Sequence, residues 1–134
     1  MQRAREAGAR RAIVLPVSVA AHSPLMADAA QTIEALLGQI DVRRPRTPVL
    51  SNVTARPVGD EGDVRRDIVQ QLTSPVRWTE TIQHMAGLGA KAFVEVGPGN
   101  VLVGLVQRIL PDPVAWSLSD VDGISRLVGQ PISQ

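Results

Sequence analysis

The chain has 134 residues, a formal net charge of +1 and no cysteine. This length suits one ordinary domain or part of a larger one. The small net charge argues against a nucleic acid or a membrane surface as partner. The absence of cysteine excludes disulfides, thiolate nucleophiles and cysteine-ligated zinc. No apolar run approaches the roughly 20 residues of a membrane span, and no signal peptide is recognisable, so we expect a cytoplasmic protein.

Hydrophobic spacing and turn residues divide the chain into alternating helices and strands. In chain order they predict helix 2–9, strand 11–19, helix 23–40, strand 47–53, helix 64–72, helix 74–87, strand 91–96, helix 101–110, strand 113–119 and helix 120–129. This alternation predicts an α/β fold whose mainly parallel sheet is covered on both faces.

Two of the predicted helices begin at a Ser-Pro pair, Ser23-Pro24 and Ser74-Pro75. At such a start the serine hydroxyl caps the helix, and the proline takes the first helical position, where its missing N–H costs nothing. For Ser23 we therefore expect a capping role.

Parallel sheets place their chemistry at the carboxyl ends of the strands. Two loops meet this condition, the one carrying His22 and the one formed by Gly97–Gly99. The glycines do not fit the dinucleotide fingerprint, which needs its third glycine three residues after the second. Gly104 comes five residues after Gly99, so a tight turn is the better interpretation. A nucleotide-binding module using the 97–104 loop stays a minor alternative.

The histidines give little chemistry on their own. His84 falls on a predicted helix, with no H-x-x-x-H or H-E-x-x-H spacing, so we expect a solvated or partly buried side chain and no metal site. His22 is a candidate general base, but no G-x-S-x-G elbow is present to supply its nucleophile. A lone histidine after a strand is more often structural than catalytic. The "NVT" segment at 52–54 matches a glycosylation acceptor by chance in a chain without a secretory signal.

Four segments, "PVSVAAHSPLM", "PVLSNVTARPV", "QLTSPVRWTETIQHM" and "FVEVGPGNVLVGL", occur in this order. Together they resemble the C-terminal part of malonyl-CoA:acyl carrier protein transacylases and of the related acyltransferase domains of polyketide synthases. The resemblance implies an α/β-hydrolase-like acyltransferase domain with a small ferredoxin-like insert. Residues 1–20 would then be the last helix and strand of the small subdomain, and residues 21–134 the C-terminal part of the large domain.

The resemblance also implies roles for individual residues. His22 matches the catalytic histidine, and Gln71 matches the residue whose backbone carbonyl orients it. Ala21 and Asn52 match positions beside the substrate, and Asn52 and the Gly97–Gly99 turn match family motifs that support the wall of the site. A small residue at Ala21 could admit a branched acyl group, although we favour malonyl. The family's nucleophilic serine, its malonyl-binding arginine and its N-terminal glutamine lie upstream and have no counterpart here.

The resemblance implies transfer of a malonyl group from coenzyme A to the phosphopantetheine thiol of acyl carrier protein, without a cofactor or metal. This chain would supply the histidine and not the serine, so we expect it to be inactive alone. The missing N-terminal part would be a further partner, covering a sheet edge and apolar surface. Two alternatives stay open: a non-catalytic truncated remnant or assembly half, and an acyltransferase fragment of a polyketide synthase.

Overall fold

The computed structural model describes residues 1–14 and 17–128. The helices and strands of these residues are α1 (Gln2–Glu6), α2 (Ala27–Leu37), α3 (Glu61–Thr73), α4 (Trp78–Gly87), β1 (Ala92–Val96), α5 (Val101–Ile109), β2 (Val114–Leu118) and α6 (Val121–Val128). A 3₁₀ turn, Pro24–Met26, comes directly before α2. The predicted strands 91–96 and 113–119 and the predicted helix 101–110 are confirmed to within one residue at each end.

The two strands form a parallel sheet with α5 as the crossover. Ala92 pairs with Val114 at one end of the register and Val96 with Leu118 at the other. Because parallel neighbours need a long connection, the helix between them is expected. Helix α5 packs against both strands and buries Val106, while α6 packs on β2 and α4 on α5. The predicted α/β class with a parallel sheet is confirmed.

One face of β1 is open. Ala92, Val94 and Val96 alternate along the strand and therefore share a face. Val96 is 81% exposed and Val94 is also exposed. The prediction that both faces of the sheet are covered is wrong for the described chain.

The predicted strand over residues 11–19 is absent from residues 11–14 and 17–19, while Leu15 and Pro16 lie outside the described residues. Four apolar side chains in the described part of this stretch are exposed, namely Ile13, Val14, Val17 and Val19. Their β-branched shape favours an extended backbone. However, a strand also needs a hydrogen-bonded neighbour, and the described chain places none beside this stretch.

The predicted strand over residues 47–53 is reduced to a single antiparallel bridge, Leu50 with Pro57. The cause is Ser51, whose hydroxyl oxygen accepts the backbone N–H groups of Val53 and Thr54, each at 3.0 Å. Such local side-chain bonds offer the backbone an alternative to a sheet ladder. Residues 51–57 therefore form a tight loop, called the 51–57 loop below.

Two predicted helix starts are wrong. Helix α3 begins at Glu61 instead of residue 64, because Asp60 and Asp63 form a capping box in which each carboxylate accepts the other's backbone N–H. Helix α4 begins at Trp78 instead of residue 74, because Ser74 is extended and ends α3.

Of the two roles predicted for Ser23-Pro24, only that of the proline is confirmed. Pro24 takes the first position of the 3₁₀ turn, as predicted. The predicted cap by the Ser23 hydroxyl is wrong, because that hydroxyl accepts no N–H of the 3₁₀ turn; it donates to the carbonyl of Ala20 at 2.8 Å. The predicted helix 23–40 is thus a 3₁₀ turn followed by α2, which ends at Leu37.

Candidate active site

His22 lies in the turn that leads into the 3₁₀ turn, and its side chain is exposed. Its φ of 59° is in the left-handed region, which few non-glycine residues adopt. Backbone strain of this kind persists only where the surrounding structure maintains it, and it concentrates at functional sites. The turn therefore gives His22 a defined position despite its exposure.

The imidazole of His22 contacts the end of α3. Its Nδ1 lies 2.7 Å from the backbone carbonyl oxygen of Gln71. Gln71 belongs to the last turn of α3, where carbonyl groups lack a partner inside the helix. Because a carbonyl only accepts, Nδ1 carries the hydrogen and Nε2 is the unprotonated nitrogen of the neutral ring. An imidazole in this tautomer can take a proton at Nε2.

Helices α2 and α3 pack against each other, and the 3₁₀ turn packs on α3. The Arg65 guanidinium of α3 joins them at the far end of α2. It donates from Nη2 to the carbonyl of Ile40 at 2.9 Å and from Nη1 to the carbonyl of Leu37. Leu37 is the last residue of α2, and Ile40 lies three residues beyond it. For the Leu37 carbonyl, the side-chain donor replaces the missing helical N–H. Arg65 thus fixes the helix that follows His22 to the helix that carries Gln71.

Two consecutive residues of the 51–57 loop hold the same face of α3. The Ser51 hydroxyl donates to the Asp67 carboxylate, and Asn52 Nδ2 donates to Gln71 Oε1 at 3.2 Å. Asp67 and Gln71 are four residues apart, which places them one above the other on a helix. Ser51 is only 3% exposed. The two contacts, Ser51 with Asp67 and Asn52 with Gln71, are called the clip below. The clip holds the last turn of α3, which carries the carbonyl that His22 contacts.

The clip explains the position of Asn52. Its side chain is half-buried and bonded to Gln71, while its carbonyl accepts the backbone N–H of Arg77 at 2.8 Å. Sequence reasoning identified Asn52 and Gln71 but missed Ser51 and Asp67. A signal was present, since Asp67 precedes Gln71 by one helical turn within the predicted helix 64–72.

An exposed ion pair lies at the start of α4, next to the 51–57 loop. Arg77 Nε donates to Glu80 Oε1 at 2.8 Å. This hydrogen bond lowers the pKa of the Glu80 carboxyl and raises the pKa of the Arg77 guanidinium. Both groups are exposed, so solvent screens the pair and its contribution to stability is small.

The other predicted site residues lie apart from this clip. Ala21 is exposed and adjoins His22 in the chain. His84 is half-buried on α4, as expected, and its Nδ1 lies 3.4 Å from Arg56 Nη1. Gly97 and Gly99 have φ values of 142° and 95°, so the predicted tight turn after β1 is confirmed.

The nucleotide-binding alternative is not supported at this turn. The N–H of Val103, in the first turn of α5, donates to Glu95 Oε2 at 2.9 Å. A carboxylate therefore stands at the helix N-terminus, where a phosphate would bind. Among residues 1–14 and 17–128, no group of three or more His, Cys, Asp or Glu could hold a metal ion. The same residues include no helix long and apolar enough to cross a membrane.

Comparison with known proteins gives the family. Residues 1–127 match the model of the acyl transferase domain. The chain belongs to this family. It is 45% identical over 117 residues to the malonyl CoA-acyl carrier protein transacylase of Haemophilus influenzae, which covers 87% of this chain and 38% of that protein. It is also 45% identical over 106 residues to the polyketide biosynthesis protein ThaF of Burkholderia thailandensis, covering 78% of this chain and 9% of that protein.

Solved structures show the same similarity. An acyl-carrier-protein S-malonyltransferase from Burkholderia pseudomallei superposes with a TM-score of 0.89 at 36% identity, covering 96% of this chain and 42% of that one. A malonyl-transacylase in complex with a type II polyketide synthase acyl-carrier protein gives the same TM-score and identity. The resemblance to transacylases is thereby confirmed. The chain spans about two fifths of the length of the transacylases it matches.

Proposed function

We propose that this chain supplies the general base of an acyltransferase that moves a malonyl group from coenzyme A to acyl carrier protein. The observation that carries the proposal is the 2.7 Å contact between His22 Nδ1 and the Gln71 carbonyl. The Haemophilus influenzae relative is named for malonyl CoA-acyl carrier protein transacylation, and one structural neighbour is a malonyl-transacylase bound to an acyl-carrier protein. Acyl transfer is thus the reaction that this histidine would serve.

The proposed reaction has two steps through a serine ester. In the first, Nε2 of His22 takes the serine proton while the serine oxygen attacks the malonyl thioester carbon. The bond to the coenzyme A sulfur breaks, and the thiol leaves with the proton from the imidazolium. In the second, Nε2 takes the proton of the phosphopantetheine thiol, whose sulfur attacks the ester, and the serine recovers the proton.

The neutral carbonyl of Gln71 suits this double role. It fixes the ring orientation and the tautomer without adding a negative charge beside the imidazolium. The proposal assigns to Ala21 and Asn52 positions beside the substrate, with malonyl favoured over branched acyl groups. It needs no cofactor and no metal, and it keeps the cytoplasmic location expected from the sequence.

We assign the serine and the malonyl-binding arginine to the remaining part of an acyltransferase. Two observations support this assignment. The relatives are longer than this chain, and apolar residues are exposed on β1 and at Ile13, Val14, Val17 and Val19. In this proposal residues 1–20 end a small ferredoxin-like subdomain, and residues 21–134 belong to an α/β-hydrolase-like domain. A polyketide synthase domain fits as well as a fatty-acid enzyme, given the identity to ThaF.

A chimera tests the proposal. Residues 1–127 replace the matching segment of the Haemophilus influenzae transacylase, and transfer from malonyl-CoA to holo acyl carrier protein is measured. Removing a general base costs about 10²–10⁴-fold, so we expect His22→Ala to lower the rate by that factor. His84→Ala is the matched control and should leave the rate unchanged. An unaffected His22→Ala chimera would contradict the proposal.

Two further outcomes separate the alternatives. The 134-residue chain alone should show no added malonyl mass after incubation with malonyl-CoA, because it has no serine elbow. Stoichiometric labelling would place a nucleophile within this chain and overturn the division of roles. A folded but inactive chimera would instead favour a non-catalytic remnant.

A further inference from the structure

The carbonyl that His22 contacts has lost its usual competitor. In an α-helix the carbonyl of residue i accepts the N–H of residue i+4. For Gln71 this residue is Pro75, which has no N–H. Helix α3 ends at Thr73, and Ser74 is extended with φ −111° and ψ 146°. Residues that precede proline favour this conformation, so Pro75 both removes the donor and prevents the helix from continuing.

We propose that Pro75 is a positioning residue for His22. It reserves the Gln71 carbonyl for the imidazole Nδ1–H, and this single acceptor selects one tautomer. The catalytic meaning of the inference rests on the proposed function, whereas the contact itself does not. The clip holds the same turn of α3. The Asn52 side chain donates to the Gln71 side chain, and the Asn52 carbonyl accepts the backbone N–H of Arg77, two residues beyond Pro75.

The end of helix α5 has the same arrangement of glutamine and proline as the end of α3, but no histidine contacts it. Helix α5 ends at Ile109, and Leu110 is extended with φ −110° and ψ 146°. Pro111 follows, so the carbonyl four residues earlier belongs to Gln107. The ends of α3 and α5 thus share the residue spacing Q-x-x-x-P and the backbone conformation before the proline. Pro111→Ala is therefore a control for restoring a backbone N–H at a helix end.

The test measures the tautomer of His22 in the ¹⁵N-labelled 134-residue chain. Long-range ¹H–¹⁵N correlation spectra at about pH 8.5, well above the ordinary imidazole pKa, distinguish protonated from unprotonated ring nitrogens. With only two histidines in the chain, His84→Gln assigns the signals. We expect Pro75→Ala to raise the ratio of Nε2–H to Nδ1–H about three- to tenfold, the size of one net hydrogen bond. Pro111→Ala should leave the ratio unchanged. An unchanged ratio in folded Pro75→Ala would overturn the proposal.

A second variant distinguishes the effect of the missing N–H from the effect of the proline ring. Lactate at position 75, introduced as an α-hydroxy acid, has an ester oxygen where alanine has its N–H. It should keep the wild-type tautomer ratio, and it decides the matter if Pro75→Ala does not fold. A ratio raised by lactate would overturn the proposal. An inactive chimera in which His22 keeps its Nδ1–H would contradict the proposed function while still supporting the role of Pro75.

Discussion

The ends of α3 and α5 are two versions of one helix terminus. Each has an extended residue before a proline and a glutamine four residues ahead of that proline. Only the first has a histidine at the carbonyl freed by the proline, since His22 Nδ1 contacts Gln71 and His84 Nδ1 faces Arg56. A short sequence pattern thus provides a free carbonyl acceptor, and tertiary packing determines whether a histidine lies against it.

The two helices are also held by different forces. Helix α5 buries Val106 and packs against both strands. Helix α3 buries no residue fully. It packs on α2 and makes polar contacts with Ser51 and Asn52 and, through its own Arg65, with the carbonyls of Leu37 and Ile40. Because hydrogen bonds hold the last turns of α3, polar substitutions should disturb its end more than comparable changes disturb α5.

The largest effect on stability should come from Asp67→Ala. This change leaves the buried Ser51 hydroxyl without its acceptor, and an unsatisfied buried group costs about 1–3 kcal/mol. Urea unfolding of the chain measures the loss. Glu34→Ala, an exposed carboxylate on α2, should change the free energy of unfolding by less than about 0.5 kcal/mol. Equal effects of the two changes would show that the clip does not hold α3.

Gln71→Ala should have a smaller effect. It removes the 3.2 Å bond to Asn52, worth about 0.5–1.5 kcal/mol, but keeps the backbone carbonyl that orients His22. Because the carbonyl is unchanged, transfer by the chimera should stay within about threefold of the parent, near the lower end of the range for one hydrogen bond. Gln107→Ala at the end of α5 is the control for stability. Loss of transfer as severe as in His22→Ala would mean that the Gln71 side chain itself takes part.

The smallest effect on stability should come from Asp63, at the start of α3, and it should appear only at acidic pH. The pKa of the Asp63 carboxyl is lowered, chiefly because it accepts the backbone N–H of Asp60, with the Arg66 guanidinium adding to this. Its stabilisation is thus present above the ordinary carboxyl pKa of about 3.9 and is lost as the pH falls through the lower folded value. Asp63→Asn should flatten the acid side of a thermal stability profile. A profile as steep as that of the parent would contradict this.

Sequence reasoning located the elements that depend on local pattern. The β1–α5–β2 unit followed from apolar spacing and from glycines at a turn that needs positive φ. The same reasoning fails where a neighbouring segment determines the structure. Residues 11–14 and 17–19 include β-branched side chains, but the described part of the chain places no strand beside them. Ser51 folds the end of the predicted strand 47–53 into the 51–57 loop. The Ser74-Pro75 pair predicts a helix start, although in the structure the same pair ends α3.

The site was only partly accessible from the residues themselves. His22 stood out as a candidate base, but its partner is a backbone carbonyl, which has no signature in the side-chain sequence. The match of Gln71 came from the family resemblance. The spacing of Gln71 and Pro75 was visible and would have indicated a free carbonyl, but only the fold shows that His22 lies against it.

One spectrum of the wild-type chain tests the central claim most directly. The two histidines should show opposite tautomers in a long-range ¹H–¹⁵N correlation. His22 should carry its hydrogen on Nδ1, because Gln71 offers only an acceptor. His84 should carry its hydrogen on Nε2, because Arg56 offers only a donor to its Nδ1. If His22 instead shows the Nε2–H form, the ring is not oriented by Gln71, and its assignment as the oriented base is wrong.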